Sequence, residues 1–176
     1  TTDNSPIPTK PVFSQDLIAT TSANIKIGGA ADPKTTVQVT QNDRVLGTVV
    51  TKDDGSFTYD VALEKNDNIF TAVAVSETGK KSSVSLPYDV KYLTAQPKLD
   101  ITSPKDGDKI SSDQTTVTGK TDSGDSITIN GRYVIVASDG SFSYPLNLNS
   151  GDNKIEVIAT DPAGNKATKE INIQKL

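Results

Sequence analysis

Along the whole chain, short β-branched runs alternate with clusters of Gly, Asp, Asn, Pro and Ser, about one turn signal every 8–12 residues. Within the runs, apolar and polar positions alternate. Ile155, Val157 and Ala159 fall on one face of a segment whose other face carries Lys154, Glu156 and Thr160. Ile127 and Ile129 alternate with Ser126 and Thr128, Leu146 and Leu148 with Asn147, and Ile171 and Ile173 with Glu170 and Asn172. A period of two predicts strands with one dry and one wet face, and a dry face must be buried against a second sheet. Helical spacing is sustained nowhere. The expected class is all-β.

The chain repeats itself. Gly55-Ser56-Phe57-Thr58-Tyr59 recurs as Gly140-Ser141-Phe142-Ser143-Tyr144, an offset of 85 (140 − 55) that also maps Asp67-Asn68 onto Asp152-Asn153, Gly79 onto Gly164 and Lys81 onto Lys166. Upstream the offset is 90 (119 − 29), pairing Gly29 with Gly119, Asp32 with Asp122, Val37 with Ile127 and Val39 with Ile129. The difference of 5 (90 − 85) places an insertion in the first copy between Val39 and Gly55. Matched turn glycines with matched apolar positions between them indicate two copies of one domain. The expected organisation is a Pro-rich linker over 1–10, a β-sandwich over 11–93 with its insertion near 41–51, a short linker over 94–97, and a second sandwich over 98–176.

The turns have their own chemistry. Asp53-Asp54-Gly55 and Ser138-Asp139-Gly140 each precede a Ser-Phe strand start, and glycine there supplies a positive φ. Asn130-Gly131 is the strongest two-residue hairpin signal; the inserted segment is expected to replace it in the first copy. The series Thr116-Val117-Thr118-Gly119-Lys120-Thr121-Asp122, Ile127-Thr128-Ile129-Asn130-Gly131, Asp139-Gly140-Ser141-Phe142, Gly151-Asp152-Asn153 and Ala159-Thr160-Asp161-Pro162-Ala163-Gly164-Asn165 resembles the bacterial immunoglobulin-like domains typified by domain B of glucodextranase. The first copy resembles them more loosely, with Ser76-Glu77-Thr78 where Asp-Pro-Ala is expected. The resemblance implies two tandem immunoglobulin-like β-sandwich domains of a secreted or envelope-anchored protein, used as spacer, adhesion or accessory modules. It brings no active site with it.

Composition narrows the chemistry. Of 176 residues, 18 are basic and 22 acidic, giving a net charge of −4, and there is no His, Cys, Met or Trp. Without His or Cys there is no Ser-His-Asp or Cys-His nucleophile and no imidazole or thiolate zinc site. A net negative chain with scattered lysines is a poor counter-ion for nucleic acid. No apolar run reaches the ~20 residues of a membrane span. A chain that starts Thr1-Thr2-Asp3-Asn4 reads as a processed fragment, with any signal or anchor outside it.

The remaining candidates are these. Gly124-Asp125-Ser126 resembles a hydrolase nucleophile block but lacks a base, and reads as a turn. Asp53, Asp54 and Asp139 are acidic but precede turn glycines. Asp106-Gly107-Asp108, Asp122-Ser123-Gly124-Asp125, and Asp161 with Asn165 are oxygen-rich groups that would suit structural calcium, although ordinary turns concentrate the same residues. A Lys–Asn cross-link from Lys169 to Asn172 is opposed by strand parity, and Lys81 and Lys166 flank a turn. No cofactor is expected. Ile69, Val73 and Val75 form an apolar stripe on the non-core face of their strand, where the second copy has Lys154, Ile158 and Thr160. The inserted segment, with Val45, Leu46, Val49 and Val50, is expected to cover that stripe; left open, it would be an interaction surface. Arg132 and Tyr133 at a loop tip would suit a protein or glycan contact, although a sugar platform normally needs more rings than this chain supplies. The leading expectation is a non-catalytic stalk or spacer, extracellular or at the cell surface, whose partners are other domains of the same polypeptide. The alternative is an adhesion or accessory module binding a protein or glycan.

Overall fold

The structure is a computed structural model that describes residues 5–176; Thr1–Asn4, the start of the expected linker, lie outside the described residues. The fold divides after Leu93 into two compact units. The first contains β1 (Val12–Phe13), β2 (Ala19–Thr20), β3 (Asn24–Ala30), β4 (Thr36–Gln41), β5 (Arg44–Val50), β6 (Ser56–Ala62), β7 (Asn66–Val75) and β8 (Tyr88–Tyr92). The second contains β9 (Leu99–Ser103), β10 (Lys109–Ile110), β11 (Gln114–Thr121), β12 (Ser126–Ile129), β13 (Arg132–Val134), β14 (Ser141–Asn147), β15 (Gly151–Thr160) and β16 (Lys166–Lys175). The described residues include no helix.

Each unit is a sandwich of a three-stranded and a five-stranded sheet. The orders are β1-β3-β6 and β2-β8-β7-β4-β5 in the first, and β9-β11-β14 and β10-β16-β15-β12-β13 in the second. Strand for strand the two topologies coincide, which is the structural meaning of the sequence repeat. Pairing is antiparallel except for β2 with β8 and β10 with β16, where the chain has crossed from one sheet to the edge of the other. The period-two positions predicted to be dry are buried, except Leu146, which is half-buried against the core. Val37, Val39, Phe57, Phe70 and Val90 fill one core, and Val117, Ile127, Ile129, Ile155 and Val157 the other.

The paired glycines have a steric reason. In the second unit the ring of Phe142 lies directly on Gly119: a Cβ there would sit 2.6 Å from Phe142 Cζ and 2.3 Å from the Asp100 carbonyl oxygen. The first unit repeats this with Gly29, Phe57 and the Val12 carbonyl at 2.7 and 2.3 Å. Glycine lets the edge strand and the largest core ring approach the same backbone from two sides.

The insertion corrects one expectation. It does not replace the hairpin; it lengthens it. β4 turns into β5 through Asn42-Asp43, with φ of 47° and 63°, as β12 turns into β13 through Asn130-Gly131 at 48° and 76°. Both central residues left-handed is the hairpin geometry that suits strand twist. Asn42 Oδ1 accepts from the Ile69 N–H at 2.9 Å, and Asn130 Oδ1 from the Glu156 N–H at 2.8 Å, so the side chain completes the ladder where the strand ends. Four of the five inserted residues extend the hairpin by two on each strand, through the pairs Thr40–Val45 and Gln41–Arg44, and the fifth, Leu46, is absorbed by a bulge where the pairing slips between Val39 and Thr40. Aspartate at φ 63° is the costlier occupant of its position. Asp43→Gly is therefore expected to stabilise the first unit by about 0.5–1 kcal/mol, read as a raised melting temperature.

Two further features frame the ends. Beside β7, residues 82–87 do not form a ladder strand; Ser82, Ser85 and Tyr88 are buried at every third position. The Ser82 and Ser85 hydroxyl oxygens accept the Ala74 and Ala72 N–H groups at 2.9 and 3.0 Å. The incoming segment of each unit is held the same way: Asp32 Oδ2 accepts the Thr9 N–H at 2.7 Å, and Asp122 Oδ2 the Lys98 N–H at 3.0 Å. The prolines just before, Pro8 and Pro97, are buried.

Candidate functional site

Ile69, Val73 and Val75 lie on the outer face of the first five-stranded sheet. β5 does not cover them. It lies in the plane of the sheet beside β4, so that the rows Val50–Thr36–Val75 and Thr48–Gln38–Val73 run straight across three strands. Leu46 and Val49 turn inward onto the core, whereas Val45 and Val50 stay exposed with Ile69. The expected coverage is thus overturned: an insertion can bury half its apolar residues by widening a sheet, because a strand has two faces. Across β4, β5 and the upper part of β7 this face bears no charge; beyond them Asp89 of β8 lies opposite Ile69, and Asp67 pairs with Lys91 at 3.7 Å. The matching face of the second unit is charged, with Lys154 and Glu170 paired at 2.6 Å, a contact that raises the Lys154 ammonium above its usual range.

Arg132 and Tyr133 lie in the other unit, on the edge strand β13, so the five proposed contact residues divide between two bodies. Tyr133 stands opposite Thr128 and is 82% exposed. Sequence reasoning missed its companion Ile135, 92% exposed, which the alternation from Tyr133 would have flagged.

No reaction centre forms from the remaining candidates. Ser126 Oγ donates to the Thr160 carbonyl at 3.3 Å from an exposed position. Asp54 and Asp139 each accept from the backbone and hydroxyl of the serine two residues on, Ser56 and Ser141, and those bonds hold both carboxyls below the usual range. Asp161 uses both oxygens on its own turn, accepting from Ala163 N, Asn165 N and Asn165 Nδ2. Asp106 accepts from Asn172 N, and Asp108 from Lys105 N. Among the described residues no three acidic side chains gather as a cation cage. Lys169 has core-side parity, but its Nζ leaves the sandwich edge to meet Asp100 at 3.4 Å, and Asn172 points to the opposite face. One small surface hollow beside β1 is lined by Lys10, Pro11, Val12, Phe13, Gln15 and Leu86.

Two family models divide the chain between them. Residues 12–91 match the bacterial Ig domain, and residues 97–175 match glucodextranase domain B. The chain is a tandem of bacterial immunoglobulin-like domains. Over 157 residues the tandem is 36% identical to bacillopeptidase F of Bacillus subtilis, covering 88% of this chain and 11% of that protein. It therefore spans about a tenth of the length of the curated relative it matches. Among solved structures, the fibronectin(III)-like modules of Clostridium thermocellum CbhA align with a TM-score of 0.54 at 17% identity, covering 94% of this chain and 93% of theirs. Rst D1-D2 aligns at 0.52 and 15% identity, covering 96% of this chain and 100% of its own. At these identities the two structures establish the shared tandem β-sandwich fold. Domains of this immunoglobulin-like class are in general non-catalytic modules of bacterial surface or secreted proteins.

Proposed function

We propose that the immunoglobulin-like pair is a non-catalytic stalk or spacer of a larger extracellular or surface protein, acting on the other domains of that polypeptide by positioning them. The observation that carries this reading is where the polar chemistry sits. Apart from the buried Gln41–Asn68 pair of the first domain, each sandwich interior is filled by apolar side chains, and each acidic or hydroxyl candidate described above is engaged in a turn or at a strand end. The likeness to one tenth of a protein named as a peptidase supports an accessory position within a longer chain. A length-for-length exchange tests it. Replacing the pair in its parent protein by an unrelated tandem of similar sandwiches should preserve activity at the cell surface or in the medium, whereas deletion should reduce it. Loss of function in the exchanged protein would refute the spacer.

The apolar stripe of Ile69, Val73 and Val75 on the outer face, with Asp89 at its edge opposite Ile69, and the exposed Tyr133 favour one second reading, an adhesion or accessory module for a protein or glycan. Ile69→Asp and Tyr133→Ala separate the two. A spacer tolerates both changes with melting temperature and parent activity unaltered; a binding module loses retention on its protein or glycan array by tenfold or more, the size of effect that removal of a contact hot spot produces.

A further inference from the structure

One buried hydroxyl in the second domain faces more acceptors than it has protons. Thr121, 5% exposed, has its Oγ1 2.8 Å from the Lys98 carbonyl oxygen and 2.7 Å from Asp125 Oδ2, and Asp125 is itself 8% exposed. A threonine hydroxyl carries one proton. If Asp125 were ionised, both neighbours would be acceptors and one buried contact would be oxygen against oxygen. If Asp125 is a carboxylic acid, everything is satisfied in one direction: its O–H donates to Thr121 Oγ1, and the Thr121 O–H donates to Lys98 C=O. We propose that Asp125 holds a proton that closes this relay, making the relay a pH-operated clamp on the segment leading into the second domain.

The surroundings agree with the geometry. Burial of the carboxyl raises its pKa most, and the neighbouring carboxylates of Asp122 and Asp161 raise it further, against the lowering effects of the Thr121 contact and of a backbone hydrogen bond from Asp122. Asp122 is on the same loop, Asp161 follows the end of β15, and the lead-in segment contributes the backbone of Lys98. Among the described residues, none of the three carboxylates has an ion-pair partner. The first domain keeps the backbone hold, through Asp32 on Thr9, but it has Ala31 and Thr35 at the positions of Thr121 and Asp125. Thr35 Oγ1 donates instead to the Asp32 carbonyl at 2.7 Å. The relay therefore belongs to the domain whose lead-in segment joins the two sandwiches. When Asp125 deprotonates it competes with Lys98 for the single hydroxyl proton, and the carbonyl hold on residue 98 is lost.

The sign follows from linkage. A carboxyl whose folded pKa lies above its unfolded value stabilises the fold in its protonated form, and that contribution disappears as pH rises through the folded pKa. The test is an NMR titration of the full chain labelled with carbon-13 at aspartate and backbone positions, with Asp125 assigned by its loss in Asp125→Asn. The side-chain carboxyl of Asp125 is expected to titrate above the other aspartates, and the Lys98 carbonyl and Leu99 amide signals to move with the same midpoint. In Asp125→Asn the amide N–H replaces the acid O–H as donor, so the 98–99 signals should stay at their acid-side positions throughout. The melting temperature of this variant should exceed wild type at pH 7, with the gap closing towards acid. Thr121→Val should leave an elevated Asp125 titration but detach residues 98–99 from it. An Asp125 midpoint at or below about 3.9, the value of a free aspartate, would overturn the proposal. So would 98–99 signals that ignore Asp125 in the wild type.

Discussion

Gly119→Ala is expected to destabilise the second domain by about 2–4 kcal/mol, one of the largest effects a single methyl can have in this protein. The new Cβ would lie within 2.6 Å of the Phe142 ring and 2.3 Å of the Asp100 carbonyl. The ring could rotate away only into a filled core, and the carbonyl belongs to β9, whose pairing with β11 would have to break at Gly119↔Ile101. For a domain of this size the cost corresponds to a fall in melting temperature of roughly 8–30 °C in that domain's transition. Gly29→Ala should do the same to the first domain. Gly28→Ala is the control: one residue away and facing outward, its Cβ would find only the Phe57 carbonyl at 3.4 Å and a Thr58 methyl at 3.7 Å. It should be close to neutral. A Gly119→Ala protein melting within about 2 °C of wild type would show that the ring–glycine contact does not constrain the sandwich.

Asn68→Ala is expected to cost the first domain about 2–4 kcal/mol, whereas its repeat partner Asn153→Ala should cost only about 1 kcal/mol. Both amides tie the turn before their strand. Asn68 accepts from Glu64 N and donates to the carbonyls of Glu64 and Asn66; Asn153 does the same with Asn149 and Gly151. Asn68 carries more. Fully buried, it also accepts from Gln41 Nε2 at 2.6 Å and donates to the Val90 carbonyl at 3.3 Å. Removing it leaves those groups without water, next to Gln41 Oε1, which already has no partner among the described residues. Denaturant unfolding of the two variants measures the difference directly. Equal losses would mean that the buried extension through Gln41 and Val90 adds nothing.

The repeat and both cores were legible because each signal is local. Alternation over five or six residues selects a face, and the matched Gly29/Gly119 and Phe57/Phe142 mark where ring and backbone meet. Less local features were not legible. The Asn42-Asp43 turn lacks the glycine that announces such hairpins, although asparagine and aspartate both tolerate a left-handed backbone and could have signalled it. Nothing in the spacing singles out Ser82 and Ser85, whose hydroxyls take the Ala74 and Ala72 N–H groups beside β7. The Lys98–Thr121–Asp125 relay carries no sequence signature, since its parts come together only when β9 pairs with β11.

Composition and periodicity alone settled that this is a doubled β-sandwich and removed histidine- and cysteine-based chemistry, since both follow from residue type and spacing of two. The tertiary structure decided where the insertion went. Val45, Leu46, Val49 and Val50 would satisfy an overlying flap or a widened sheet equally well by hydrophobicity. Hydrogen bonding chose between them: paired edge-on to β4, the inserted backbone satisfies its N–H and C=O groups in a ladder, which a flap over side chains could not offer. The face bearing Ile69, Val73 and Val75 was left open as a consequence.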